Sequence, residues 1–335
     1  MLRKLFLFVV VSALVAVAAG WWGWRRLSAP YQGFEAPEVF VDLPPGSSVS
    51  AIGRRLADAG VVADAWTFRV AARLSGEERR LQAGEYRFAG PSSPADVIAR
   101  LVDGDVFVRP LTFPEGLTIR EMASIFAASG RGTEADFISA AARPELVAGL
   151  DPGAPSLEGY LFPDTYTLAR QDDAASVVSA MAKGFLAAFD ADLQAEAERQ
   201  SMTVRQVVTL ASLIEKETAV GSERPLVSAV YRNRLKIGML LQCDPTVIYA
   251  LMKAGRWNGN IRRVDLEMNS PYNTYRVPGL PPGPIASPGR ASLEAALRPA
   301  DVPYLYFVSR NDGTHVFSAT LAEHNRAVNQ FQRRR

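Results

Sequence analysis

The stretch Val41–Ala57, VDLPPGSSVSAIGRRLA, has a loose copy seventy positions on at Leu111–Ala127, LTFPEGLTIREMASIFA. Each opens with a short strand-like run and turns at Pro-x-Gly. Each then offers Ser or Thr as a cap and continues with apolar residues at helical spacing. Val49, Ile52 and Leu56 of the first copy match Ile119, Met122 and Phe126 of the second. A looser third copy is Tyr86–Val102, YRFAGPSSPADVIARLV, in which Ser93 reads as the N-cap and Pro94 as the first helical residue. Repeated strand–turn–helix units predict a small α+β module. The plain alternative is one common folding solution that recurs by chance.

Upstream, Leu5–Trp22, LFLFVVVSALVAVAAGWW, carries no charge. A helix of that length spans roughly 27 Å, close to the thickness of a bilayer core. Arg3 and Lys4 precede it; Trp21, Trp22 and Trp24 and then Arg25 and Arg26 follow, in the pattern of an interfacial belt. The run predicts an uncleaved anchor over residues 1–26, with the N-terminus inside and the body exported. The rival reading is a signal peptide cut near Ala16–Ala19. Residues 27–38, with two prolines, a glycine and no periodicity, read as a linker.

Composition narrows the function. A chain of 335 residues that is 48% hydrophobic can build two or three cored domains. Its net charge of +2 argues against a dedicated nucleic-acid binder. One cysteine, Cys243, rules out an intrachain disulfide and a cysteine-based zinc site. With only His315 and His324, a metalloenzyme would have to lean on carboxylates. There is no glycine-rich phosphate loop, no GxSxG and no HExxH, so neither cofactor nor metal is expected.

Beyond the repeats, Thr133–Gly149 reads as helix with a break at Pro144, and Asp172–Ser201 keeps helical spacing throughout. Two further helices are expected at about 203–217 and 223–236. Val277–Gly289, with five prolines and three glycines, reads as a loop of fixed shape. A short helix at Ser292–Leu297, a hairpin at Pro303–Ser318 turning on Asn-Asp-Gly, and a closing helix from Leu321 complete the chain.

One helix poses a chemical question. In Leu210–Val220, LASLIEKETAV, two glutamates bracket Lys216 at the end of an apolar run. On a helical wheel Arg205, Thr209, Ser212 and Lys216 form the polar stripe. Glu215 lies on the row of Val204, Val208 and Ala211, and Glu217 lies near Leu210, Leu213 and Ile214. Both carboxylates therefore flank apolar surface. Desolvation raises a carboxyl pKa and lets it hold a proton near neutrality, which suits glycosidic cleavage. The alternative is a structural glutamate paired with Lys216, Arg224 or Arg232. Nearby segments are rich in amides, hydroxyls and aromatic rings: Gln242, Asp244 and Thr246; Tyr272, Asn273 and Tyr275; Glu158, Tyr160, Asp164 and Tyr166. Such groups suit a sugar site, each with a dull alternative as a turn or core residue.

The segments EGYLFPDTY, ASLIEKETAV, VYRNRLKIGMLLQCDPTVIYAL, YNTYRVPGLPPGPIASPGRASLEAAL and YLYFVSRNDGTHVFSATLAEHN, in this order, make the chain resemble a known family. It is the membrane-anchored endolytic murein transglycosylases, the MltG/YceG-like group, and the resemblance covers about residues 39–330. It implies an α+β chain made of an N-terminal transmembrane helix, a LysM-like module at 39–109, a strand–helix connecting subdomain at 110–156 and a mixed α/β catalytic domain at 157–335. It implies cleavage of the β-1,4 bond between MurNAc and GlcNAc in peptidoglycan glycan strands, leaving a 1,6-anhydroMurNAc end. The first glutamate of the EKE triplet, Glu215, is implied as general acid and base. Gln242, Asp244, Thr246, Asn273 and Tyr275 would position the sugar, with Glu158, Tyr160 and Asp164 lining the cleft. Glu217 would be a structural partner or an electrostatic helper, and His315 would face the site from the hairpin. The glycan strand and the inner membrane are the implied partners, together with cell-wall synthases by family analogy. A water-using muramidase and a non-enzymatic peptidoglycan-binding scaffold are the competing readings.

Overall fold

The computed structural model describes residues 2–169 and 172–333, without the side chains of residues 2–9, 16 and 19. It is a mixed α/β structure, mostly helical, with small two-stranded sheets. It divides into two compact units, Met1–Arg109 with Thr167–Gln171, and Pro110–Tyr166 with Asp172–Arg335.

In the first unit, α1 (Leu2–Ser28) carries the tryptophans, all three exposed, with the Arg25 and Arg26 guanidinium groups over the Trp21 and Trp22 rings. Among the described residues no single helix is long and apolar enough to cross a membrane. Of the anchor expected over Leu5–Trp22, the side chains of residues 5–9, 16 and 19 lie outside the described residues. After the linker, β1 (Val39–Leu43) runs antiparallel to β2 (Gly84–Phe88), Val41 opposite Tyr86. Helices α2 (Val49–Asp58), α3 (Ala65–Ser75) and α4 (Pro94–Asp103) are capped by Ser48, Asp64 and Ser93. Alternation on the strands and helical spacing on α2 and α4 aim Leu43, Leu56, Tyr86, Phe88 and Leu101 into one core, with Phe68 of α3. Each such burial contributes roughly 1.5–3 kcal/mol. Helix α3 lies between the repeats and follows no repeat signature.

The division between the units falls within β3 (Val108–Thr112) and β4 (Thr165–Ala169), which pair, and the second unit continues from there. Helix α5 (Ile119–Ala128) starts in a capping box of Thr118 and Glu121, and α6 (Glu134–Ala141) gives way to a 3₁₀ turn at Pro144–Val147. The stretch expected to be helical over Asp172–Ser201 is two helices, α7 (Ala174–Ala188) and α8 (Ala191–Arg199), bent by 62°. The Asp190 side chain causes the break by accepting from the Asp192 and Leu193 N–H groups. Helix α9 (Val204–Glu217) begins in a Thr203–Gln206 capping box and is buried continuously from Val207 to Ile214. It packs against α10 (Arg224–Lys236), α11 (Asp244–Lys253) and α12 (Arg290–Leu297). A hairpin of β5 (Tyr306–Ser309) and β6 (His315–Ser318) and helix α13 (Leu321–Phe331) close the unit. Asn311 takes the left-handed conformation that its turn requires.

Candidate active site

Helix α9 ends where its sequence stops being apolar. Thr218, the first residue past it, is extended, so Glu215 and Glu217 sit on the last turn with the chain leaving behind them. The proline-rich segment comes back to this end because Ile285 N–H donates to Ser212 Oγ at 3.1 Å. Ser287 exchanges backbone hydrogen bonds with Gly116 and Leu117 at 2.9 and 2.8 Å. That pairing delivers two things to Glu215: the Gly289 N–H, and Glu115 from the turn before α5. A Cβ at position 289 would collide with the Glu115 carboxyl, so glycine there makes room for it.

Both Glu215 oxygens are engaged by protein donors. Arg224 Nη2 lies 3.3 Å from Oε1, and Gly289 N–H donates to Oε2 at 3.0 Å. The same guanidinium reaches Glu115 at 3.6 Å. Burial and the neighbouring Glu215 charge push the Glu115 carboxyl up, against the pull of Arg224. Lys216 Nζ donates to Gly116 O at 3.0 Å. Glu115, Gly116, Glu215, Lys216 and Arg224, with Glu217, Thr218 and Ala219, line an ionic cavity of about 460 Å³.

Glu217 is built differently. Tyr231 of α10 donates to its Oε1 at 2.7 Å, and the Cys243 thiol lies beside the carboxyl. The residue is half-buried by surface, but its carboxyl is closely surrounded by protein. Desolvation raises its pKa and the Asp244 charge adds to this; Tyr231, Cys243 and the more distant His315 pull the other way, and the balance is upward. Glu217 also lines a second cavity of about 300 Å³ with Arg234, Leu241, Gln242, Asp244, Tyr275, Phe307 and His324. It is the residue that these two cavities share.

Local pairing assembles that second cavity. Gln242 N–H donates to Thr274 O at 3.1 Å and Cys243 N–H to Thr274 Oγ1 at 3.0 Å. This clasp sets Gln242 and Asp244 beside Tyr275, whose hydroxyl donates to Asp244. Desolvation, then that carboxylate, raises the Tyr275 hydroxyl pKa. Gln242 has φ +49°, an outlier for a non-glycine residue, which holds its side chain out at the exposed edge of the cavity.

Four of the residues read from the sequence therefore converge: Glu217, Gln242, Asp244 and Tyr275. Glu215 joins from the ionic side. Thr246 and Asn273 support them from beneath. Thr246 is buried against Cys243 O and Thr274 Oγ1, and the buried Asn273 amide holds the carbonyls of Leu266 and Met268. Tyr160 is a core residue whose hydroxyl donates to Asp151 at 2.6 Å. Asp164 is exposed and caps its own turn through Thr165 N–H. His315 lines neither cavity; its Nδ1 lies 2.7 Å from Glu223 Oε2. Glu158 lines a separate cavity of about 300 Å³ with Tyr249 and Lys253. It accepts from Ile119 N–H at 3.0 Å and Tyr249 Oη at 3.1 Å, and desolvation carries its pKa to about 7 despite those bonds. Tyr231 and Glu115 were not singled out from the sequence, and neither carries a local signal for this role. Among the described residues no group of three or more His, Cys, Asp or Glu could hold a metal ion.

Comparison with known proteins gives a consistent set of relatives. The model of the YceG-like family matches residues 41–330. A Bacillus subtilis (strain 168) protein named endolytic murein transglycosylase is 32% identical over 323 residues, covering 92% of this chain and 88% of that protein. A protein of the same name from Streptococcus pneumoniae serotype 2 is 31% identical over 357 residues; the alignment takes in 96% of this chain and 64% of that longer relative. A crystal structure of a YceG-like protein from Listeria monocytogenes aligns with a TM-score of 0.60 at 34% identity, covering 87% of this chain and 98% of that one.

Proposed function

This chain belongs to the YceG-like family, and on that premise we propose that it cleaves peptidoglycan glycan strands endolytically, as a lytic transglycosylase. The bond broken is the one between MurNAc C1 and the GlcNAc oxygen, and the product carries a 1,6-anhydroMurNAc end. Glu217 supplies the proton. The observation that carries this reading is a desolvated, protonatable carboxyl at the junction of two cavities, one of them lined by an amide, a carboxylate and tyrosine.

In this mechanism Glu217 protonates the leaving glycosidic oxygen as the C1–O bond opens. The 6-hydroxyl of the same sugar attacks C1, and its proton returns to the Glu217 carboxylate. One carboxyl suffices because no water is activated. Tyr231 holds the carboxyl in place, and Gln242, Asp244 and Tyr275 offer hydrogen bonds and a ring face to a sugar. The resemblance drawn from the sequence gives the proton-transfer role to Glu215. The engagement of both Glu215 oxygens by Arg224 and Gly289 favours Glu217 instead.

Two wider features belong to the same proposal. The first unit acts as a LysM-like holder of glycan, and α1 anchors the protein in the inner membrane through its apolar run and its Trp21–Arg26 end, with the second unit outside. The test uses uncrosslinked glycan strands incubated with the full chain in detergent, read by mass spectrometry beside Glu217→Gln and Glu215→Gln. Anhydro ends are lighter than hydrolysed ends by one water. They should form with wild type and fail with Glu217→Gln. Reducing ends would make the protein a muramidase, and strands bound but uncut would make it a scaffold.

A further inference from the structure

The chain leaves α9 immediately after Glu217, so whatever holds residue 218 also sets the direction of the Glu217 side chain. Thr218 is buried and extended. Its hydroxyl donates to Glu223 Oε2 at 3.1 Å and accepts from Val220 N–H at 3.0 Å. Glu223 is itself buried, its side chain 10% exposed. It takes two more bonds from the hairpin: His315 N–H to Oε1 at 2.9 Å, and His315 Nδ1 to Oε2 at 2.7 Å. Burial pushes Glu223 up, but the His315 and Thr218 hydrogen bonds outweigh it and hold the carboxyl below its ordinary range. An ionised Glu223 accepts only, so Nδ1 of His315 carries the proton of that bond.

The other side of the imidazole leads back to the cleft. The His315 ring stands edge-on to Phe307 at 5.5 Å between centroids. Phe307 is edge-on in turn to Tyr231 at 6.1 Å and lines the cavity that Glu217 shares. Glu223 thus reaches the proposed acid by two routes: through Thr218 to the adjoining backbone, and through His315 and Phe307 to Tyr231, which holds the Glu217 carboxyl.

We propose that Thr218, Glu223 and His315 form a positioning clamp that fixes the Glu217 carboxyl against Tyr231 and towards the cleft. The proposal rests on the reading of Glu217 as the acid. None of the three residues touches substrate in this account. His315, expected from the sequence to face the sugar, acts through Glu223 and Phe307. Misplacement of a reacting group by about 1 Å can cost on the order of 100-fold.

The test compares Thr218→Val, Thr218→Ser and Glu223→Gln in the full chain. Thr218→Val removes the hydroxyl and keeps the shape. Its kcat on glycan strands should fall about 10- to 100-fold with KM within about twofold, and Thr218→Ser should return to within about threefold of wild type. Glu223→Gln should behave like Thr218→Val. A second readout does not depend on turnover: a ¹³C titration of the Glu217 carboxyl should move to higher pH in Thr218→Val, as the Tyr231 contact loosens. Unchanged kcat and an unchanged titration in both Thr218→Val and Glu223→Gln would overturn the clamp. A raised KM with wild-type kcat would overturn it too, by making these residues substrate contacts. If wild type leaves strands uncut, the proposed activity fails, and the carboxyl titration decides the clamp alone. Should Glu223→Gln unfold, Thr218→Val carries the decision.

Discussion

The two flanks of the last turn of α9 are built from different chemistry. On the Glu215 side the neighbours are ionic: Arg224, Glu115 and Lys216, with a backbone N–H closing the second carboxylate oxygen. On the Glu217 side the groups that hold the carboxyl are a phenol and a thiol, and the cavity beyond adds an amide, aromatic rings and the charged Arg234 and Asp244. Two carboxylates two residues apart point about 200° from each other around a helix, so the same segment can hold a structural ion pair and a desolvated acid. Fixed opposite charge favours carboxylate, while crowding by neutral groups favours carboxylic acid. The contrast teaches that the chemistry of each glutamate follows from what is packed against it, since both lie beside apolar surface on their own helix.

The largest effect expected from this contrast is on turnover. General acid catalysis contributes about 10²- to 10⁴-fold, so Glu217→Gln should lower the rate of anhydro-end formation by about 10³-fold. Glu215→Gln should cost about 10-fold or less, mainly by loosening the Gly289 loop. The reverse order, read in the same mass-spectrometric assay, would exchange the roles of the two residues.

Stability should show the opposite ranking. Arg224 is 13% exposed and bridges Glu215, at 7%, to the half-exposed Glu115. Arg224→Met removes the guanidinium that bridges the two carboxylates and leaves only Lys216, held at Gly116 O, as a nearby cation. Breaking a buried pair costs about 3–5 kcal/mol, and the exposure of Glu115 puts this case near about 3. Urea unfolding measures it. A loss below about 1 kcal/mol would mean that the ionic side carries little of the fold.

Much of this architecture is written locally. Ser48, Ser93 and Thr118 cap the helices that their turns announce, and Asn311 makes the hairpin turn. These features depend on four or five neighbouring residues. The break at Asp190 escapes a reading by periodicity because Phe185 and Phe189 before it and Leu193 after it are all buried, so the apolar rhythm continues through the bend. The site is legible only in part, for a similar reason. Gln242, Asp244 and Tyr275 stand out by residue type, but the partners that distinguish Glu217 from Glu215 are distant in sequence. Glu115 lies 100 residues before Glu215, and nothing in a single sequence says that the Pro-x-Gly turn meets α9. Tyr160 and Thr246, chosen for their hydroxyls, prove to be buried where hydrogen bonds inside the protein use them.

A third carboxyl separates desolvation from position. Glu158 is desolvated like Glu217, with a pKa near about 7, yet shares no cavity with it. Its folded value lies above its unfolded one. The stability it contributes is therefore complete below about pH 4.5 and is lost as the pH rises through about 7. Relative to Glu158→Gln, wild type should lose about 2–3 kcal/mol between those limits, measured by unfolding at several pH values. A difference that stays flat with pH would show that Glu158 is ionised throughout, and that crowding alone does not hold protons in this protein.

The smallest effect is the most specific to the Glu217 side. Tyr231 Oη donates to the carboxyl at 2.7 Å, and that bond favours the ionised form. Tyr231→Phe removes the donor and keeps the ring against Phe307. The Glu217 pKa should then rise further, since the hydrogen bond that favours the carboxylate is gone. The protonated acid is the active form, so the alkaline limb of kcat against pH should move to higher pH while the rate below it falls modestly as the carboxyl loosens. No such movement is expected in Arg224→Met, whose partners lie on the other flank. If Tyr231→Phe leaves the alkaline limb in place and Arg224→Met shifts it, the titrating acid is Glu215, and the ionic flank is the one that tunes the chemistry.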